Sequence, residues 1–213
     1  MTHRRAVIAS ALSLIGTIVL CAPLTVQAGD TSPGQSASCG LPVGNKAPEV
    51  SFQTIDGKPV TLASLHGSGP AIVTFYQGGW CPYCSKSLDE WNKHVDETKA
   101  AGITMVFITF EKPERIEDMQ DDHGQGLTVL CDPKGDAARA FGVLFTMSED
   151  TQKKYRNYKI DMPQFNTTGN WDLPHPGTFV IDKAGAVRYA WCNPDYTNRA
   201  DPAKVIAAAK AAK

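Results

Sequence analysis

The sequence lacks the features that mark several common classes of protein: an excess of one charge, a long internal apolar span, and paired metal ligands. Its 213 residues carry 21 Lys and Arg against 22 Asp and Glu with no basic patch, so no nucleic-acid partner is expected. No apolar run beyond the N-terminal region is long enough to span a bilayer. The histidines show no ligand spacing, and Cys131 and Cys192 stand alone. We therefore predict no metal site and no cofactor.

The first residues have the pattern of a secretory signal peptide. Arg4 and Arg5 precede an apolar stretch at 6–20, and small residues ending at Ala28 offer a cleavage site. We predict a signal peptide at 1–28, read by either the general or the twin-arginine export route. The mature chain is then expected in the periplasm or outside the cell, with no stable membrane insertion after cleavage.

Residues 29–46 are rich in Ser, Gly, Pro and Gln, which predicts a flexible leader before a domain at 47–213. Five cysteines remain after the predicted cleavage: Cys39, Cys81, Cys84, Cys131 and Cys192. Oxidising compartments favour disulfides. If Cys81 pairs with Cys84, an odd number is left, and the sequence does not decide how the other three pair.

The centre of the chain is a strand that turns into a helix at a pair of cysteines. An apolar run at 71–76, rich in β-branched and aromatic residues, predicts a buried strand, which Gly78 and Gly79 end. Beyond Cys84, apolar residues recur at the spacing of an amphipathic helix: Leu88, Trp91 and Val95. Both cysteines are thus predicted at the first turn of this helix.

That position favours redox chemistry at the two cysteines. Free N–H groups and the positive end of the helix dipole stabilise a thiolate and lower the pKa of the thiol. We therefore predict Cys81 as the nucleophile and Cys84 as the resolving thiol that closes a Cys81–Cys84 disulfide. An inert structural disulfide is the alternative left open. The expected neighbours of the active site are Gly79, Trp80, Pro82, Tyr83 and Pro176.

The order of predicted elements indicates an α/β three-layer domain. Strands at 71–76, 103–110 and 127–131 alternate with helices, while 162–173 is predicted to be a loop before a closing hairpin at 178–191. A dithiol after the first core strand, together with a proline before the final hairpin, is the order of a thioredoxin-like fold.

Three short motifs carry a family resemblance: 78–84 (Gly-Gly-Trp-Cys-Pro-Tyr-Cys), 173–176 (Leu-Pro-His-Pro) and 195–199 (Asp-Tyr-Thr-Asn-Arg). With them the chain resembles, over about 47–205, the peroxiredoxin-like branch of the alkyl hydroperoxide reductase / thiol-specific antioxidant family. The resemblance implies a peroxiredoxin-type, thioredoxin-like three-layer sandwich with a central mixed sheet. It further implies peroxide as the substrate and a thiol electron donor, either a thioredoxin-like protein or a low-molecular-weight thiol.

The chain departs from that family at three positions. The family places a Thr and a Pro before its reactive cysteine, where this chain has Gly78 and Thr74, and an Arg near the final hairpin, where it has Pro176. Pro176 resembles instead the cis-proline that faces the cysteines of disulfide reductases. With those side-chain donors gone, the N–H groups of residues 79–81 are expected to remain for peroxide.

These observations support two functions. The first is an exported thiol-dependent antioxidant oxidoreductase, in which Cys81 reduces peroxides and Cys84 resolves the product. The alternative is a periplasmic protein thiol–disulfide oxidoreductase with little peroxidase activity. A third, non-enzymatic possibility is a binding module in which the dithiol is a permanent clamp.

Overall fold

The structure, a computed structural model, describes residues 39–123 and 126–213. The strands are β1 (Ser51–Gln53), β2 (Pro59–Thr61), β3 (Ala71–Phe75), β4 (Thr104–Thr109), β5 (Thr128–Cys131), β6 (Leu144–Thr146), β7 (Asp172–Pro174), β8 (Gly177–Ile181) and β9 (Val187–Cys192). The helices are α1 (Leu62–His66), α2 (Pro82–Asn92), α3 (Val95–Ala100), α4 (Pro113–His123), α5 (Asp136–Ala140), α6 (Glu149–Asn157), α7 (Met162–Phe165) and α8 (Pro202–Ala211). None of these helices is both long and apolar enough to cross a bilayer.

Seven strands form one mixed sheet in the order β2-β1-β5-β4-β3-β8-β9. The three strands β3, β4 and β5 run parallel, whereas β8 lies antiparallel to β3 on its other side. Every residue of β3 is buried, as expected for a strand with neighbours on both edges and layers on both faces. The predicted α/β fold with a central mixed sheet is confirmed.

Two hydrophobic clusters separate the layers. On one face, side chains of α2, α4 and α8 pack against Ile72 and Phe107 of the sheet. On the other face, α1 and α5 pack against Val73 and Val106. Because successive residues of a strand point to opposite faces, the neighbours 72 and 73 serve different clusters. This arrangement puts the first turn of α2 at the end of the central strand.

Residues 39–46 are held against the sheet, in contrast to the flexible leader expected there. Cys39 forms a disulfide with Cys192 at the end of β9. The Gly44 N–H donates to the Val187 carbonyl at 2.8 Å, so the segment runs beside the edge strand. Composition alone does not reveal such a long-range bond. The predicted signal peptide and the rest of the leader lie outside the described residues.

The predicted loop at 162–173 contains the short helix α7 and the strand β7, which pairs with β6 in a separate two-stranded sheet. These elements are too short to show a periodic pattern in the sequence. They enclose a third cluster, in which Met162, Trp171 and Leu173 are buried. Trp80, next to the first cysteine, packs against this cluster, so the insertion contacts the dithiol region.

Candidate active site

Cys81 is the N-cap residue of α2, and Cys84 lies in the first turn of that helix. The pairing of β3 with β4 continues one residue beyond the end of β3, because the Tyr76 N–H donates to the Ile108 carbonyl at 3.0 Å. Pro82 occupies the first helical position, where the absence of an N–H costs nothing. The structure therefore brings both cysteines to the strand-to-helix turn at which the spacing predicted them.

The surroundings of Cys81 favour its thiolate. Its pKa is lowered to about 6, chiefly by a hydrogen bond from the Cys84 thiol, while burial opposes this shift. The backbone N–H groups of Tyr83 and Cys84 and the charge of Arg199 lower the pKa further. The N-terminal turn of the helix thus acts on this sulfur as expected from its position.

Cys84 has the opposite tendency. Its hydrogen bond to Cys81 and its burial raise the pKa of this thiol well above the usual range. Both cysteines carry free thiols in the structure, with 3% of Cys81 and 0% of Cys84 exposed. Near neutral pH the pair therefore carries a single negative charge, which lies on Cys81. Cys84 keeps its proton and donates the hydrogen bond.

A guanidinium reaches Cys84 from a distant part of the chain. Nη2 of Arg199 donates to Sγ of Cys84 at 3.4 Å. Arg199 lies between β9 and α8 and was noted in the sequence only as the last residue of the motif 195–199. The family's arginine position, Pro176, lines the same small cavity of about 10 Å³ as Arg199 and Cys84. The cation is therefore present at the dithiol, but it comes from a different segment.

Glu111 is a buried carboxyl group beneath the active-site loop, and sequence reasoning missed it. It lies two residues beyond the end of β4, it is 1% exposed, and its Oε2 accepts a hydrogen bond from the Gly79 N–H at 2.9 Å. Burial raises the pKa of Glu111 to about 7, although the Gly79 N–H and Arg115 oppose the shift. The available signal was a charged residue at the carboxyl end of a central apolar strand.

Gly78 replaces the family's threonine because no side chain fits there. A Cβ atom on Gly78 would overlap Nε1 of Trp80 and lie 2.8 Å from Cδ of Glu111. Gly79 is similarly confined, since its Cβ would lie 2.7 Å from Cβ of Met119. The loop is thus packed around two glycines, and the hydroxyl donor of the family cannot be accommodated.

The backbone donors expected from residues 79–81 are already used in part. The Gly79 N–H bonds Glu111, and the Cys81 N–H donates to the Gly78 carbonyl at 3.2 Å. The expectation that the N–H groups of residues 79–81 remain for peroxide is therefore wrong for Gly79 and Cys81. The reason is the tight packing of the turn. The Gly78 carbonyl accepts from the Cys81 N–H, and the buried Glu111 beneath the turn accepts from the Gly79 N–H.

Pro176 lies near Cys84, but its peptide bond is not the expected one. It is buried immediately before β8 and lines the cavity beside Cys84. Within residues 39–123 and 126–213 no peptide bond is cis, so the cis-proline hypothesis is wrong. The trans bond leads directly into β8, whose first residue, Gly177, pairs with Phe75 of β3. Trans is also the usual state of a bond before proline.

Aromatic side chains surround the dithiol. Tyr83, between the cysteines, is 47% exposed, and its ring meets the ring of Tyr196 edge-on at 5.6 Å. Trp80 meets Tyr155 of α6 in the same geometry at 5.8 Å. Trp80 therefore joins the loop to the third cluster, whereas Tyr83 presents an apolar surface with a polar tip beside the reactive turn.

The remaining cysteines take no part in the dithiol. Cys39 and Cys192 are joined to each other. Cys131 is a buried free thiol whose pKa burial raises to about 11, which makes it a poor nucleophile. In the part of the chain that the structure describes, no three His, Cys, Asp or Glu side chains are grouped so as to hold a metal ion.

Comparison with known proteins identifies the family. The family model described as AhpC/TSA matches residues 43–190, which is more than half of the chain. The chain belongs to the AhpC/TSA family. The match includes the dithiol, Glu111 and Pro176 but ends before Arg199. The AhpC/TSA resemblance seen in the sequence is thereby confirmed.

Relatives and solved structures agree with AhpC/TSA membership. A putative peroxiredoxin of Mycobacterium tuberculosis is 31% identical over 102 residues, which are 48% of this chain and 64% of that protein. The peroxiredoxin Bcp of Escherichia coli is 29% identical over 103 residues, covering 48% and 65% of the two chains. The chain thus matches less than two thirds of the length of either relative.

Two solved structures show the same fold. The peroxidoxin BcpB of Mycobacterium tuberculosis superposes with a TM-score of 0.63 at 19% identity, covering 80% of this chain and 97% of that one. A putative thiol:disulfide interchange protein DsbE of Chlorobium tepidum gives a TM-score of 0.54 at 24% identity, covering 80% and 99%. At such identities, this AhpC/TSA chain shares the fold with both.

Proposed function

We propose that this protein is an exported thiol oxidoreductase that reduces peroxides through Cys81 and resolves the product through Cys84. The observation that carries the proposal is the hydrogen-bonded pair at the first turn of α2, in which Cys84 holds Cys81 as a thiolate. Family membership points to peroxide as the oxidant.

The reaction uses two electrons from the dithiol. The Cys81 thiolate attacks one peroxide oxygen, the O–O bond breaks, and hydroxide or alkoxide leaves while Cys81 becomes a sulfenic acid. Cys84 loses its proton and attacks that sulfur, so the Cys81–Cys84 disulfide forms and the oxygen leaves as water. A thiol electron donor, either a thioredoxin-like dithiol protein or two molecules of a small thiol, returns the two electrons and becomes a disulfide.

A specific observation favours a second function, protein thiol–disulfide exchange. Peroxide cleavage benefits from donors aimed at the developing oxyanion, and one such donor is typically worth about 10²–10³ in rate. Here Gly78 has no room for a hydroxyl donor, and the Gly79 N–H is committed to Glu111. Disulfide exchange needs no such donors, so it is the candidate if peroxide turnover is poor.

One experiment separates the two functions. The reduced protein is mixed in a stopped-flow instrument with hydrogen peroxide or with an oxidised protein disulfide, and oxidation is followed by intrinsic fluorescence. We expect peroxide to oxidise it well above the rate for free cysteine. If peroxide reacts no faster than with free cysteine while the protein disulfide reacts quickly, the exchange function replaces the peroxidase function.

Export is a part of the proposal that rests on two features. The N-terminal pattern at 1–28 is that of a cleaved signal, and the Cys39–Cys192 disulfide suits an oxidising compartment. Fractionation of cells that express the full chain, followed by N-terminal sequencing, tests it. A soluble product beginning near Gly29 outside the cytoplasm is expected, and an uncleaved cytoplasmic chain would refute export.

A further inference from the structure

Arg199 is fixed so that one end of its guanidinium points at Cys84. Its Nη1 donates to the backbone carbonyls of Tyr196 and Asn198, the latter at 2.9 Å. Its Nη2 is then left to donate to Sγ of Cys84 at 3.4 Å. These two hydrogen bonds to the backbone restrict the orientation of the Arg199 side chain. The contact with Cys84 therefore has a defined geometry.

Arg199 is the cation of the dithiol. The titratable groups that act on Cys84, or respond to its charge, are Cys81, Arg199, Glu111, Tyr76 and Tyr155. The other four are acids, which are neutral when protonated and negative when ionised. Among these groups of the described chain, Arg199 alone therefore favours a negative charge on the Cys84 sulfur. Its hydrogen bond is to the resolving sulfur and not to Cys81.

The charge on Cys84 changes during the proposed cycle. While Cys81 is a thiolate, it accepts a hydrogen bond from the Cys84 thiol, which keeps its proton and stays neutral. Once Cys81 has become a sulfenic acid or a mixed disulfide, that negative charge is gone. Cys84 must then release its proton to attack, and the sulfur that becomes negative lies against the Arg199 guanidinium. The adjacent cavity of about 10 Å³ offers space for roughly one water to take the proton.

We infer that Arg199 is a catalytic residue of the second half of the reaction, in which it stabilises the Cys84 thiolate that resolves the intermediate on Cys81. This rests on the proposed function in that Cys84 is the resolving thiol. It differs from the role of the family's arginine near the final hairpin, which was counted in the sequence among the side-chain donors for peroxide. Here Cys81 draws most of its stabilisation from Cys84 and the helix turn.

The two half-reactions can be separated with an aromatic disulfide, dithiobis(nitrobenzoate), whose released thiolate is coloured. The Cys81 thiolate attacks one sulfur, releases one aromatic thiolate and forms a mixed disulfide. Cys84 then attacks the Cys81 sulfur, the Cys81–Cys84 bond forms, and the second aromatic thiolate leaves with the electron pair. With an equimolar amount of reagent, two colour phases report the two steps.

We expect Arg199→Gln to slow the second phase by about 10- to 100-fold near pH 7, the range for losing a charge-assisted hydrogen bond. The first phase should change far less. Raising the pH should restore the second phase, because it forms the Cys84 thiolate without the cation, and Arg199→Lys should restore it partly. Arg139→Gln is the matched control, since Arg139 is an exposed arginine paired with Asp136 on α5.

A direct titration of the Cys84 thiol tests the same contact without any turnover of the dithiol. In Cys81→Ser, the ultraviolet absorbance of the Cys84 thiolate is followed against pH, with Cys81→Ser/Cys84→Ser to subtract the contribution of Cys131. Adding Arg199→Gln should raise the pKa of Cys84 by about one unit or more. Should Arg199→Gln fail to fold, Arg199→Lys serves in both assays, with a smaller effect in the same direction expected.

An unchanged pKa of Cys84, or equal slowing of both colour phases with no recovery at high pH, would overturn the assignment. Neither assay uses peroxide. A protein that fails to reduce peroxide yet shows the Arg199-dependent second phase would refute the peroxidase proposal and leave this inference standing.

Discussion

Replacing Glu111 with Gln should make the stability of the protein less dependent on pH. The amide has nearly the shape of the carboxyl group, and its oxygen can still accept the Gly79 N–H bond. The change therefore removes the ionisation and keeps the packing. Because Glu111 is 1% exposed, solvent hardly screens the effect of its charge.

The size of the effect follows from the pKa of Glu111, which burial raises from 4.5 to about 7. A shift of about 2.5 units at 1.36 kcal/mol per unit corresponds to about 3 kcal/mol. The folded state holds the proton more tightly than the unfolded state. The stabilisation that comes from protonated Glu111 is thus fully present below about pH 4.5 and is lost as the pH rises through about 7.

Urea unfolding of the reduced wild type and of Glu111→Gln, at several values of pH between about 4.5 and 8, measures this directly. Relative to the variant, the wild type should lose about 3 kcal/mol across that interval, and other titrating groups cancel in the difference. Glu117→Gln, which removes an exposed carboxyl group of α4, is the matched control. A flat difference for Glu111→Gln would refute the reasoning from burial.

Four further predictions concern the reactive turn and the disulfide. Cys81→Ser should abolish turnover, whereas Cys84→Ser should leave Cys81 trapped as a sulfenic acid or mixed disulfide, which mass spectrometry of the intact protein will show; equal residual activity of the two variants would contradict these roles. Alkylation of Cys81 against pH should give a midpoint near 6, as the pKa shift requires, and a midpoint near the ordinary thiol value would remove the helix-turn argument. Gly78→Ala should destabilise the fold by about 2 kcal/mol or more in thermal unfolding, because the added carbon has no space, and a neutral result would contradict the packing described. Replacing Cys39 and Cys192 together by Ala should lower the free energy of unfolding by about 2–5 kcal/mol, measured against the oxidised wild type, and no loss would show that the bond is absent in solution.

The sequence allowed the central features of the fold to be predicted because they are local. The run at 71–76, the two glycines after it and the helical spacing beyond Cys84 lie within about two dozen residues. Their periodicities directly reflect strand and helix geometry. The short elements α7 and β7 were missed because three or four residues carry no period.

The rest of the site depends on contacts between distant segments. Arg199 is separated by 115 positions from the cysteine that it contacts, and Glu111 by 32 from the Gly79 amide. Arg199 ends the motif 195–199, but nothing in that motif pairs it with Cys84, and Glu111 stands in no motif at all. Only the fold brings these two residues to the dithiol. Likewise, Cys39 and Cys192 are 153 positions apart, and no local pattern pairs them.

The Cys39–Cys192 bond makes most of the domain a covalent ring. All strands of the described residues and the reactive turn lie inside the ring, while α8 and Arg199 form a tail that leaves it just after β9. A single proteolytic cut within the ring would leave one molecule, and the two fragments would part only after reduction and unfolding. The closure also fixes the point from which the tail departs, so it anchors the segment that carries the guanidinium to Cys84.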